Sequence, residues 1–479
     1  MKDVRSSLQV RMAVIDDRFC DCPDLIKRKA ALKGGYEAYF IYFDGLVDSN
    51  MVQRDLINPL LLMEVRELAK EKALLGLPIG RLRVCRDSDS LINAILNGEV
   101  VFISECLEFG VVADFELTEC IDNPRFKWNF LHQSGEFQTL LSTNLALLRR
   151  RYRSNRLKFK IREIGVEPKA KIAVAYLEGV AAPSLLNEID DRIQAVMNEE
   201  SHDSHLELVM KDFPHSPFPQ YQTTKRPDLA VSKLLEGRLA ILRDGCPAAI
   251  LTPTNFFAFF QAPDDLHTHW VLASGMRLFR IIAAMIVVFL PGLYIAVSSF
   301  HYQFLNLNLL ITLAQSRSNV PFPPIIETIL MELFLAVIYE LSSRFSTCIG
   351  LLMGITGGLF VGGALLATGM ISSVLLIVSV FSLMASFLIP INHIETIRLL
   401  RSLFIVLAGL LGMLGVAIGA SLTFAHLIVL SSLGEPYLQP LIPFHFQKAM
   451  NSILKVPLRY LWRKHDGVNP VPDKGARND

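Results

Sequence analysis

From Ile281 to Leu430 the chain runs through long apolar stretches that carry few charges, whereas charges are spread throughout residues 1–272. Backbone N–H and C=O groups at membrane depth find no water, so apolar stretches of this kind are restricted to helices that satisfy their own hydrogen bonds. The overall 51% apolar content averages two unlike regions. The same is true of the mean hydropathy of +0.37. The expected architecture is a duplicated α/β soluble N-terminal region followed by an all-α polytopic membrane domain. Its expected segments are an N-terminal piece 1–29, an α/β subdomain 30–115, a connector with a basic helix 116–167 and a second α/β subdomain 168–272. A multi-span helical membrane domain 273–434 and a basic tail 435–479 follow.

The first apolar stretches are broken by Asp16, Asp17 and Arg18 and again by Lys27, Arg28 and Lys29, so no secretory signal is expected. Seven scattered cysteines agree with a reducing compartment. Cys20-Asp21-Cys22 lacks the two-residue spacer of zinc and thiol-redox motifs, and these thiols are read as free. A net charge of +1 argues against nucleic acid as the partner. His202, Asp203 and His205 sit together in a polar segment, too sparse a set for a metal site; neither metal nor cofactor is expected.

The N-terminal region repeats itself. Ile41-Tyr42-Phe43-Asp44-Gly45-Leu46 matches Ala175-Tyr176-Leu177-Glu178-Gly179-Val180, and Leu96-Asn97-Gly98-Glu99 matches Leu235-Glu236-Gly237-Arg238. Each copy reads as a buried strand, an acid-Gly turn and a helix, then a helix that ends on glycine where a strand begins. Asp44 and Glu178 are expected to shape turns, because neither copy brings a nucleophile, a base or a phosphate-cradling glycine run beside them. Arg149-Arg150-Arg151-Tyr152-Arg153 closes an apolar-spaced helix, and two readings stand: a solvated helix end, or contact with anionic headgroups or an acidic partner. In the second copy Thr224 is expected to cap the helix entered through Pro227, and Gly237 to end it. Phe256, Phe257, Phe259 and Phe260 either seat this subdomain against its surroundings or belong to an ordinary core.

Arg277 and Arg280 precede the first expected span, 281–298, and by the positive-inside rule hold the preceding domain on the cytoplasmic side. Further spans are expected at 349–367, 371–390 and 402–430. Gly354, Gly358 and Gly362 recur every four residues and form a smooth helix-packing stripe, repeated by Gly415 and Gly419. Between 325 and 341, Glu327, Glu332 and Glu340 interrupt an apolar helix. At helical spacing Glu332 and Glu340 lie about 80° apart, with Glu327 away from both. Such carboxylates either face a watery path or a partner, or sit in water on an interfacial helix. Asn319-Val320-Pro321-Phe322-Pro323-Pro324 is expected to be extended and irregular. Counting 325–341 as a crossing gives five spans, whereas the basic residues after the last span favour both ends inside. Three solutions stay open: 325–341 does not fully cross, 303–314 forms another crossing or a re-entrant piece, or the tail breaks the rule.

Across nearly its whole length the chain resembles the A subunit of GerA-type spore germinant receptors. The resemblance rests on Phe43-Asp44-Gly45-Leu46-Val47-Asp48, Thr143-Asn144-Leu145-Ala146-Leu147-Leu148-Arg149-Arg150-Arg151, Thr224-Lys225-Arg226-Pro227-Asp228, Leu235-Glu236-Gly237-Arg238, Ser299-Phe300-His301 and Val320-Pro321-Phe322-Pro323 with Met331-Glu332. Ala336, Tyr339 and Gly363 depart from the family's usual polar residues. The resemblance implies a non-enzymatic subunit of a nutrient receptor in the endospore inner membrane, its N-terminal domain on the spore-core side. The implied partners are a transporter-like B subunit, a lipoprotein C subunit, further copies of itself and membrane lipid. It also implies a germinant-gated ion channel, for which Glu327, Glu332, Leu359 and Val361 are the candidate path or gate residues. A secondary transporter and a membrane-anchored enzyme are the rival classes; the first wants a midplane site between repeated membrane halves and the second a catalytic constellation.

Overall fold

The duplication extends to the backbone. A computed structural model of the chain describes residues 8–33, 35–63, 82–107, 109–115, 135–165, 170–197, 209–266, 268–343, 345, 347–444 and isolated positions up to 454. In the first copy α1 (Leu8–Arg18) leads into the hairpin β1 (Leu25–Ala31) and β2 (Glu37–Phe43). The helical segment α2 follows as Ser49–Met51, Val52–Ile57 and Asn58–Leu62, its middle piece π-helical. Then come β3 (Leu82–Cys85), α3 (Ser88–Leu96), β4 (Val100–Ser104) and β5 (Gly110–Ala113). The second copy repeats the order as α4 (Leu141–Arg151), β6 (Leu157–Ile164), β7 (Ala170–Leu177), α5 (Pro183–Met197), β8 (Gln222–Thr224), α6 (Pro227–Leu235), β9 (Leu239–Arg243) and β10 (Ala249–Thr252).

The two sheets share one strand order, β1-β2-β4-β5-β3 and β6-β7-β9-β10-β8. Every described pairing is antiparallel, which corrects the expected α/β class to α+β. The physical reason is that β1–β2, β4–β5, β6–β7 and β9–β10 join by short turns, whereas parallel neighbours need long crossovers. Central strands are apolar without alternation because all residues of β4 and β5 are buried. The boundaries shift too. β1 starts ahead of residue 30, and α4 and β6, expected in a connector, open the second copy.

Equivalent glycines do equivalent work. Gly98 and Gly237 both have φ of 86°, and each ends a helix with the same pair of backbone bonds. Gly98 N–H donates to Ile95 O and Glu99 N–H to Ala94 O; Gly237 N–H donates to Leu234 O and Arg238 N–H to Lys233 O. This is the Schellman arrangement, which satisfies carbonyls left open at a helix end. At the other end of α6 the expectation is corrected. Arg226 occupies the cap position, while Thr224 Oγ1 accepts from Arg226 N two residues earlier, at 3.1 Å.

Helix α4 joins the copies through Arg149. Its guanidinium is 0% exposed. Nε and Nη2 donate to Asp24 Oδ2 and Oδ1 at 3.0 and 2.9 Å, and Nη1 donates to Leu157 O at 2.8 Å. Phe43 of the first sheet and Phe159 of the second flank it, with ring centroids 4.3 and 4.9 Å away. Both readings of Arg149 as a solvated or lipid-facing residue are therefore corrected; Arg150, Arg151 and Arg153 of the same run stay exposed. The Asp44-Gly45 turn lies under the same helix: a Cβ on Gly45 would sit 3.0 Å from Ala146 Cβ and 3.2 Å from Ser142 O.

Two units result. Among the described residues, one comprises those up to Met210 with Thr223–Pro253, the other Lys211–Gln222 and those from Thr254 onward. The segment expected as 168–272 thus divides. Residues 211–222 form a strap in the helical unit, where Pro219 O accepts from Tyr437 Oη at 2.8 Å and Pro217 O from Thr396 Oγ1 at 2.6 Å. Tyr437 and Leu438 join Phe218 and Phe259 in a buried cluster, so this unit's core runs past residue 434.

The helical unit contains α7 (Trp270–Ser299), α8 (Leu307–Arg317), α9 (Pro324–Ser343), α10 (Thr347–Ala367), α11 (Ser373–Ser386), α12 (Ile391–Leu411) and α13 (Met413–Val429). A two-stranded ribbon, β11 (Ser431–Ser432) with β12 (Glu435–Pro436), qualifies the all-α expectation. Helix α7 is long and apolar enough to cross a membrane; α11 and α13 are apolar but shorter. The single span expected at 402–430 is in fact a helical hairpin. Gly412, at φ 62°, breaks it, and a Cβ on Gly415 would lie 2.0 Å from Leu407 O.

Two outcomes check this account, both read by hydrogen exchange in the full chain. Gly237→Val is expected to destabilise the second copy by at least the ~1–2 kcal/mol of a left-handed L-residue, speeding exchange in α6 and β9. Arg149→Met is expected to cost about 3–5 kcal/mol by stranding Asp24, with much of the loss recovered in Asp24→Leu/Arg149→Met.

Candidate functional site

Helix α9 carries the carboxylates that interrupt an otherwise apolar face, and the fold gives each a different environment. Glu327, in the first turn, is 0% exposed. Its Oε1 accepts the backbone N–H of Ser372 at 2.5 Å, at the N-terminus of α11, where the helix leaves donors open. Arg317, in the last turn of α8, places Nε 3.8 Å from Oε2. Ser372 itself caps α11 and shares a 3.1 Å hydrogen bond with Tyr294 of α7. Glu327 is thus a junction between α8, α9 and α11. The Val320–Pro323 turn preceding α9 is irregular, as Pro321 and Pro323 require, and Arg317 Nη2 reaches Phe322 O at 3.4 Å.

Glu332 pairs with Arg401 of α12. Arg401 is 5% exposed, and the Glu332 side chain is 26% exposed. Two turns along, Arg398 lies over the Tyr339 ring with its guanidinium carbon 4.1 Å from the centroid. Tyr339, where the family pattern suggests a polar or charged residue, therefore holds a cation on its face. Glu340 is exposed. The expected grouping of Glu332 with Glu340, apart from Glu327, corresponds to two partly or fully accessible acids and one enclosed acid.

The glycine stripe packs inside the chain. Gly354, Gly358 and Gly362 are buried, and a Cβ on Gly358 or Gly362 would lie 3.3 Å from Leu383 Cδ2 or 2.5 Å from Leu376 Cδ1, both on α11. The opposite face of α10 carries Leu352, Leu359 and Phe360, exposed by 63, 61 and 80%. Val361 is partly buried against the unit's core. Leu359 therefore faces outward, while Val361 packs inward. Gly419 continues the theme, its Cβ position 2.9 Å from Leu407 Cδ1 across the α12–α13 hairpin.

Arg277 and Arg280 have a partner besides any headgroup. Arg280 Nη1 and Nη2 donate to Asp265 Oδ2 and Oδ1 at 2.9 and 3.0 Å, and Arg277 Nε donates to Oδ2 at 3.1 Å. Both arginines are 8% exposed. Arg280 also donates to Phe260 O at 3.1 Å, fixing the aromatic run to α7. That run serves the helical unit's own core: Phe259 stacks on His393 with centroids 5.2 Å apart, and Phe256 and Phe260 meet the same ring edge-on. Outside the helices, burial pushes the Tyr437 phenol well above its usual range, so it stays a donor toward Pro219. Burial likewise raises the Cys22 thiol in the other unit.

Sequence reasoning found the acids and the glycines but not Arg317, Arg401, Asp265 or His393. The available signal was a set of ionisable residues at helical spacing in otherwise apolar stretches, Arg398 and Arg401 above all. No group of three or more His, Cys, Asp or Glu placed to hold a metal occurs among the described residues. His202, Asp203, His205 and Cys120 lie outside them.

The chain belongs to the Bacillus/Clostridium GerA spore germination protein family, which matches residues 13–466. It is 32% identical to spore germination protein GerQA of Bacillus cereus, over 88% of this chain and 85% of that one. It is 31% identical to spore germination protein A1 of Bacillus subtilis over 94% and 93% of the two chains. Spore germination protein KA of Bacillus subtilis is 28% identical over 87% and 78%. A crystal structure of the N-terminal domain of the A subunit of the Bacillus megaterium germinant receptor GerK3 aligns with 53% of this chain and 98% of its own, at 21% identity and a TM-score of 0.39.

The buried stripe generates a specific expectation. Gly362→Leu is expected to lower the yield of folded protein, because the side chain would have to displace Leu376, whereas Gly363→Leu, with open space at its Cβ, is expected to be tolerated. Folded yield by size-exclusion chromatography in detergent checks both.

Proposed function

We propose that the chain is the A subunit of a nutrient germinant receptor in the endospore inner membrane, where copies of it assemble into a germinant-gated ion channel. The observation that carries this reading is the family match over residues 13–466, which spans both units. On this reading the partners are a transporter-like B subunit and a lipoprotein C subunit, and the duplicated region couples germinant recognition to the helices without catalysis. The helical unit supports a multi-pass arrangement. Splitting 402–430 at Gly412 adds a helix, so that α7, α9, α10, α11, α12 and α13 make an even set. An even number of crossings returns both ends to one side, as the basic residues on either flank favour. Helix α7, 30 residues long, spans about 45 Å at ~1.5 Å per residue, enough for a hydrocarbon core of ~30 Å.

The test is ion flux through the full chain reconstituted in potassium-loaded vesicles with its B and C partners. Nutrient-triggered potassium release that requires this chain is the expected result. An assembled complex that binds nutrient yet releases no ion, with or without this chain, would overturn the channel reading.

A further inference from the structure

The proposed ion path makes Glu332 a natural cation site, yet the structure gives that carboxylate a cation already. Arg401 of α12 is paired with it and is 5% exposed. Arg401 Nε is buried without a hydrogen-bond partner, so the guanidinium is held there by charge rather than by a full set of acceptors. An arginine cannot shed its proton to escape burial. Glu332 stays partly open on its other side, with 26% of its side chain exposed, while Glu327 is enclosed and engaged by Ser372 and Arg317. Of the two enclosed or paired acids, Glu332 is thus the one whose partner could be exchanged for a mobile ion.

We propose that Arg401 is a built-in counter-ion that occupies the cation position of Glu332 and keeps the carboxylate from recruiting monovalent cations in this state of the protein. This rests on the channel reading for its role in flux, but not for its chemistry. A paired carboxylate has no net charge with which to concentrate cations; an unpaired one does. Removing Arg401 alone should then release the charge of Glu332, whereas removing Glu332 as well should cancel that effect. A purely structural pair would behave otherwise, since both deletions would loosen the contact between α9 and α12 alike.

The experiment uses the full chain in vesicles, with potassium as the ion, and a second readout in the apolar reagent dicyclohexylcarbodiimide, which labels protonated carboxyl groups in apolar surroundings. Without nutrient, Arg401→Gln is expected to raise potassium leak roughly tenfold or more. Arg401→Lys, Glu332→Gln and Arg401→Gln/Glu332→Gln are expected to stay at the wild-type baseline. In Arg401→Gln, Glu332 should become labelled by the carbodiimide, and potassium should protect it; in the wild type the labelling should be low and indifferent to potassium. Equal leak in Arg401→Gln and the double variant would overturn the proposal, because a leak that ignores Glu332 is a packing defect. So would Glu332 labelling in folded Arg401→Gln that potassium does not diminish. If Arg401→Gln fails to fold, the exchanged pair Glu332→Arg/Arg401→Glu keeps both charges: potassium-indifferent labelling at residue 401 supports the counter-ion, and potassium-protected labelling there overturns it. Potassium-protected labelling without flux in any variant would retain the counter-ion and reject the channel reading. Nutrient-gated flux with no change in Arg401→Gln would do the reverse.

Discussion

A buried guanidinium carries its charge permanently, and this constraint organises both units of the chain. Lysine or histidine can give up a proton when enclosed; arginine cannot, so each buried arginine has to find a fixed acceptor. Arg149 finds Asp24 across the two copies of the duplicated region. Arg277 and Arg280 find Asp265, and Arg401 finds Glu332. In each case the partners are far enough apart in sequence to tie separate elements together. The charges therefore report which elements must be in place before the core can close.

Glycine provides the complementary device, where backbone rather than charge must approach. At Gly45 the turn of the first copy lies against α4, at Gly362 helix α10 meets Leu376, and at Gly415 the hairpin of α12 and α13 folds back on itself. Each position has a bare Cα because a side chain would collide with a neighbour of the same unit. Gly358 and Gly362 pack against α11, which leaves the bulky face of α10, with Leu359 and Phe360, turned outward. On this helix Leu352, Leu359 and Phe360 thus face out of the unit, while Gly358 and Gly362 face in. Such a helix can meet lipid or another apolar surface without exposing backbone.

Much of this was legible in the sequence, for reasons that can be named. The duplication showed because Gly98 and Gly237 are needed at a positive φ, which few other residues adopt, and so the same letter recurs at the same place in each copy. The apolar helices showed because their length in residues follows directly from helical rise. The pairing of Arg149 did not show, since a basic run at a helix end satisfies the local rule about helix dipoles equally well in water. Antiparallel topology was also hidden: a fully buried strand is continuously apolar whether its neighbours run with it or against it, so β4 and β5 gave no hint of direction. The break at Gly412 was masked by the apolar residues on both sides of it, and the strap 211–222 by its lack of periodicity.

The paired acids of α9 bear on what the helix is for. Exchanging a buried ion pair for well-packed apolar residues is often neutral or stabilising, so such a pair is poor evidence of a need for stability. What it does supply is register, because an ion pair is satisfied at one offset between two helices and unsatisfied at the next. Helix α9 is held in this way at two heights, to α11 and α8 through Glu327 and to α12 through Glu332. Apolar ridges alone would let α9 slide or rotate at small cost. The charges make each displacement strand a carboxylate or a guanidinium, which converts a continuous motion into a choice between discrete positions. A helix so constrained is suited to switching, and less suited to serving as passive packing.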